Sequence, residues 1–186
     1  MGKKLKILFA NIPTPGNRFV LDLKEGLEQY GNVIWDHQEF WNMKSEYDII
    51  HIHWPEYLSF ELESYLYKPS ESIPNEIWDK TINCLEYWSK NAKIIYTRHV
   101  QYPHTRHDDE FLKLYKAVAS YCDTIVHFAN YSIQQFKKWY PDLEHIKHVV
   151  IPHHNYASLP NDSTKQEARD YLNIASGTKV MLVFGG

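Results

Sequence analysis

The chain has 186 residues, 44% of them hydrophobic, with a formal net charge of −3 and a pI near 6.4. That length suits one domain with a sizeable core, and the charge balance leaves no basic footprint for nucleic acid. No apolar run reaches the length of a membrane span, no signal-peptide core follows the N-terminus, and Cys84 and Cys122 lack CxxC spacing, which together fit a reduced, cytoplasmic protein.

In chain order, short apolar runs alternate with helix-like stretches. KILFAN (6–11) reads as a buried strand. PGNRFVLDLKEGLEQYG (15–31) sets Phe19, Leu23 and Leu27 at helical spacing and closes on Gly31. VIW (33–35) and YDIIHIHW (47–54) are the next strands. The segment 67–75, rich in Pro, Ser and Glu, reads as a loop, and a long helix is expected over 74–91. KIIYT (93–97), a helix over 108–121, DTIVHF (123–128), a helix over 131–139 and HVVIP (148–152) follow. Nearly continuous apolar strands separated by helices imply an α/β fold: a Rossmann-like, doubly wound, mainly parallel sheet with helices on both faces. A surface helix in such a domain could give peripheral contact with the inner face of a membrane.

In an open parallel sheet, ligands bind beyond the carboxyl ends of the strands. Those ends read NIPTPGN, HIHWPEY, TRHVQYPHTRH, HFANYS and IPHHNY, and four of the five contain histidine. The opposite ends are plainer. One edge of the sheet therefore looks like a site.

Four chemistries compete for it. His51 and His53 face the same way on a strand, so with His99 or His104 they could hold zinc, as in a metal-dependent hydrolase. The alternative for His51 is a core histidine bonded to a neighbouring element. The first loop lacks GxGxxG and has one glycine, Gly16, so a dinucleotide fingerprint is excluded. Gly16 and Asn17 precede a helix whose first amides favour an anion; equally, Asn17 is only its cap. No GxSxG is present and neither cysteine ends a strand, which argues against nucleophilic hydrolysis. The remaining option is a polar ligand such as a sugar. Trp54, Tyr57 and Tyr102 could stack on it, while His99, His104 and Arg106 could bond its hydroxyls or a phosphate. A non-catalytic doubly wound binding domain is a further alternative, although the response-regulator type would carry acidic residues after the first strand.

The order of motifs resembles the N-terminal domain of the large family-4 (group 1) retaining glycosyltransferases with the GT-B fold. YDIIHIHWPEY resembles that group's "D-hydrophobic-H-x-H" strand, and KIIYTRHVQYPH its "T-x-H-N-x-x-P-H" strand and loop. CDTIVHFANYSIQQF, HVVIPHHNY and EARDYLNIASGTKVMLVFGG resemble, in order, its "A-D" strand with a Ser at the next helix start, its "V-I-P-H-G-x-Y", and its "A-R-x-x-L-G" leading into a second domain. Val100 stands where Asn is common, and His154 where Gly is.

The resemblance implies an acceptor-side domain over 1–160. It implies a linker helix and the first strand of a donor-binding domain over 161–186, the rest of that domain being missing. It further implies transfer of a hexose or related sugar from a UDP- or GDP-sugar to a glycan or lipid-linked acceptor, without a metal or other cofactor. His99 is then the expected catalytic residue, held near the transferred sugar. Gly16 and Asn17 are expected at the donor phosphate, and His53, Trp54, Tyr102, His104 and Arg106 at the acceptor.

Overall fold

The computed structural model describes residues 4–156 and 159–182. The chain divides into two compact units, one ending at His154 and the other starting at Asn155, six residues before the boundary expected from sequence.

The first unit is built on six strands: β1 (Leu5–Phe9), β2 (Gly31–Trp35), β3 (Ile49–Ile52), β4 (Lys93–Thr97), β5 (Thr124–His127) and β6 (Lys147–Val150). All pair in parallel, in the order β2-β1-β3-β4-β5-β6. The helices between them are α1 (Arg18–Leu27), α2 (His37–Asn42), α3 (Phe60–Ser64), α4 (Asn75–Asn91), α5 (Asp109–Ser120) and α6 (Asn130–Trp139). The expected fold class is the one observed, α/β with a doubly wound parallel sheet.

Side-chain alternation along the strands divides the core in two. Ile7, Phe9 and Val33 face α1, where Val20 is buried and Phe19, Leu23 and Leu27 pack beside it. Leu8, Ile50, Ile94 and Ile125 face the other way, against Phe40 of α2, Leu85 and Trp88 of α4, Phe111 and Val118 of α5, and Phe136 of α6. Helices thus cover both faces.

Two aspartates set where strands begin. Asp48, just before β3, exchanges backbone-like bonds with β1: its Oδ2 accepts from the Lys6 amide and its own amide donates to the Lys6 carbonyl. Asp123, just before β5, does the same with Ile94 of β4. The "D-hydrophobic" pattern at both places is a register device, because each carboxylate satisfies an amide that the ladder leaves open.

The short elements α2 and α3 escape sequence periodicity. Each is anchored by one buried residue, Phe40 or Leu62, and is started by a side-chain cap, Asp36 or Ser59. Six and five residues are too few to show a 3.6-residue period.

The second unit holds α7 (Lys165–Tyr171), opened by a capping box between Thr164 and Glu167. Arg169 ties its end by donating to the carbonyls of Ala175 and Thr178. The strand expected in KVMLVFGG is absent from 179–182, where Val180, Met181 and Leu182 are exposed; residues 183–186 lie outside those described.

Candidate functional site

β1 has β2 on one side and β3 on the other. The chain leaving β1 turns to one face of the sheet, into α1, and the chain leaving β3 turns to the other. The two loops part, and a crevice opens beyond the strand ends at this topological switch point. Asn11 spans its floor: its side-chain amide donates to the Trp54 carbonyl, and its Oδ1 accepts from the His53 amide at 2.7 Å. The Ile12 amide donates to the Tyr57 carbonyl at 2.7 Å. The result is a pocket of about 300 Å³ with Trp35, Trp54 and Tyr57 as aromatic walls. Asn11, Thr14, Asn17, His53, Glu56 and His104 bring polar groups to it.

Beside the pocket runs a chain of histidines. His51 and His53 face the same way, as strand alternation requires, with rings stacked at 4.4 Å. His51 Nε2 bonds Thr97 Oγ1 at 2.8 Å, and His53 Nδ1 bonds His99 Nε2 at 3.1 Å. Burial pulls His51 down to about 4 and His99 to about 3, and lowers His53 as well, helped by the neighbouring histidines at His53 and His99. All three are neutral at neutral pH and serve as hydrogen-bonding groups, not charges. His51 is thus the core histidine bonded to a neighbouring strand.

His99 does not line the pocket. Its ring stacks on Trp54 at 4.2 Å and meets Phe19 and Phe128 edge-on. It braces the aromatic wall and, through His53, the pocket's inner end. His153 and His154 lie on Phe19 beyond it, and His154 Nδ1 is 3.7 Å from Asp22 Oδ2.

Glu56 was not among the residues expected from sequence. It lies in the single-turn 3-10 helix Pro55–Leu58 and is 3% exposed, yet it lines the pocket. The Tyr115 hydroxyl from α5 donates to Oε2 at 2.8 Å. Burial pushes the carboxyl up to about 7, against smaller opposite pulls from its own backbone amide and then from that hydroxyl. The signal in the sequence is slight: a glutamate in HWPEYL, among residues otherwise suited to burial.

Of the residues expected at a ligand, the pocket gathers Asn17, His53, Trp54 and His104. Asn17 is also the cap of α1, its Oδ1 accepting from the Val20 amide. Gly16 sits in the turn before it, with nothing within 4 Å of where a Cβ would stand, and is not a wall residue. Tyr102 packs instead on His107 and Trp139.

Arg106 is not among the residues that line the pocket. It is 5% exposed, and its guanidinium donates to the carbonyls of Tyr65, Lys68 and Glu71 and to the Asp108 carboxylate. Three of these bonds hold the 65–71 segment and the fourth goes to Asp108, so the guanidinium acts as a clamp. His127, at the end of β5, is likewise spent. It bonds Ser132 Oγ at 2.8 Å and His148 Nδ1 at 3.0 Å, pinning α6 to the sheet, and Arg98 donates to the same hydroxyl.

Among the described residues no three His, Cys, Asp or Glu side chains stand where they could share a metal ion, so the zinc reading lacks a ligand set. No described helix is long and apolar enough to cross a membrane. No protein-family model matches the chain, and neither the curated proteins nor the solved structures contain a match to it.

Proposed function

We propose that this domain is the acceptor-side half of a glycosyltransferase. In this reading it holds a sugar or lipid-linked glycan while a hexose arrives from a UDP- or GDP-sugar, with retention as the motif resemblance implies. The observation that carries the reading is the pocket at the switch point. Two tryptophans and a tyrosine offer flat apolar faces to a sugar ring, and Asn11, His53, Glu56 and His104 offer hydroxyl partners between them. At about 300 Å³ it stands at the small end of ligand sites, which run from roughly 300 to 1,000 Å³, and it suits one sugar ring. The same resemblance assigns the nucleotide to a second domain.

Saturation-transfer NMR tests the binding. The probes are the methyl glycosides of glucose, galactose, mannose and N-acetylglucosamine. Transfer to the ring protons of at least one, abolished in a folded Trp54→Ala variant, is the expected result. No transfer to any of the four would overturn the reading. Transfer that survives Trp54→Ala would move the sugar away from this pocket. Catalysis is tested by nucleotide release from UDP- and GDP-sugars in protein that includes the nucleotide-binding domain, comparing wild type with His99→Ala.

A further inference from the structure

A second depression opens beside the pocket. Trp35 and Tyr57 are walls of the pocket, and two residues further along each segment His37 and Ser59 are walls of a groove of about 580 Å³ between α2 and α3. Two residues of chain span at most about 7 Å, so pocket and groove share a rim along both segments. Trp41 of α2 ties that rim together, its indole N–H donating to the Leu58 carbonyl at 2.6 Å.

The groove repeats the kind of lining found in the pocket. Phe60 is 61% exposed and meets His37 edge-on with ring centroids 5.1 Å apart. Lys80 from α4 carries its ammonium over the Trp41 ring, 4.9 Å from the centroid. Gln38 and Asn42 stand four residues apart on α2, so their side chains share a face. Each amide can donate and accept, as neighbouring sugar hydroxyls require. The one carboxylate of the groove, Glu61, and its one ammonium, Lys80, balance, which leaves little field to collect a phosphate, a polyanion or an anionic lipid surface. An exposed phenylalanine alone needs no explanation. Set among amides on the rim of a pocket that suits one sugar ring, Phe60 has the surroundings of a further ring site.

We propose that the groove is a second subsite of the acceptor site, and that the acceptor is a neutral oligosaccharide with one ring in the pocket and the next on Phe60, bonded by Gln38 and Asn42. This rests on the reading of the pocket as a sugar site and names its substrate class. The link between the rings makes the second contact intramolecular, so even a weak contact in the groove tightens binding of the whole chain of sugars.

The test compares the four methyl glycosides with maltotriose, cellotriose, galactotriose, mannotriose and chitotriose by NMR titration of the chain. Expected is at least one trisaccharide that binds about tenfold or more tightly than its matching methyl glycoside. Phe60→Ala, which removes an exposed ring, should bring that trisaccharide back to the affinity of the methyl glycoside and leave the methyl glycoside unchanged. Trp54→Ala should weaken both. In wild type, the trisaccharide and not the methyl glycoside should shift the Trp41 indole N–H, a readout that needs no variant.

Trisaccharides that bind no tighter than the methyl glycosides, with Trp41 unmoved, would overturn the proposal and keep the sugar pocket. Tighter trisaccharide binding that Phe60→Ala leaves intact would place the extension on another surface and overturn it as well. A trisaccharide that shifts Trp41 and keeps its full affinity in Trp54→Ala would make the groove a separate site, overturning both its continuity with the pocket and the sugar reading of the pocket. Binding of none of these sugars would overturn the sugar reading and the proposal together.

Discussion

Acid should unfold this domain over a narrow range, because its interior holds histidines that must stay neutral. His51 sits at about 4, His99 and His127 at about 3, and His53 well below 6.5, all through burial first. In the unfolded chain each returns to about 6.5. Between these values the unfolded state binds protons that the folded state refuses, so stability falls as pH falls. Glu56 works the other way. Its folded value of about 7 exceeds the ordinary 4.5, so its contribution is present at low pH and lost as pH rises through 7. Near pH 5.5, four histidines less one glutamate leave about three extra protons on the unfolded chain, or about 4 kcal/mol per pH unit. Against a typical domain stability of about 5–15 kcal/mol, a slope of that size removes the stability over roughly one to four pH units. The carboxylates lowered by their partners, such as Glu39 and Asp108, act only at more acid pH. Urea denaturation followed by tryptophan fluorescence at a series of pH values between 7.5 and 5.5 measures the slope. His127→Gln should flatten it by about one proton, or about 1.4 kcal/mol per unit. A wild-type slope of about one proton or less would refute the reasoning, since the histidines would then charge inside the folded state.

Arg106→Leu should cost about 2–4 kcal/mol in urea midpoints, because three carbonyls and Asp108 lose their donor together. Arg106→Lys should restore only part of this, since an ammonium cannot bridge carbonyls set out for a planar fork. In both variants any glycoside binding per folded molecule should be retained; binding lost with stability unchanged would return Arg106 to the ligand. Gly31→Ala should destabilise by about 1–3 kcal/mol, because the new Cβ would stand 2.4 Å from the Leu5 carbonyl oxygen. Gly16→Ala, where a Cβ meets nothing within 4 Å, should stay within about 0.5 kcal/mol in the same thermal or urea measurement. Asp123→Ala should cost about 1–2 kcal/mol, chiefly from the Ile94 amide it leaves open, and hydrogen exchange at that amide should quicken.

The strand KIIYT was legible to the residue, and α4 and α5 to within one or two, because long apolar periods and clear end signals coincide there. The edge of the sheet that carries the pocket was legible too, from histidines and aromatics collected after the strands. Within that edge the individual roles were less so. Trp54, His53, His104 and Asn17 do meet at one pocket. His99 and Arg106 lie in one polar loop of the sequence, the first expected near the transferred sugar and the second at the acceptor, yet one braces Trp54 and the other clamps a distant segment.

The difference follows from what each level of description contains. Alternating apolar runs and helical periods are local, and with the handedness of parallel crossovers they determine the doubly wound sheet and which end of it carries the crevice. Whether a given histidine or glutamate is charged depends on how much water its neighbours exclude, and those neighbours come from elsewhere in the chain. Tyr115 lies 59 residues from Glu56, and His99 lies 46 from His53. Only the tertiary structure brings them together, and with them it decides that the histidines stay neutral while the one buried glutamate of the pocket titrates near neutrality.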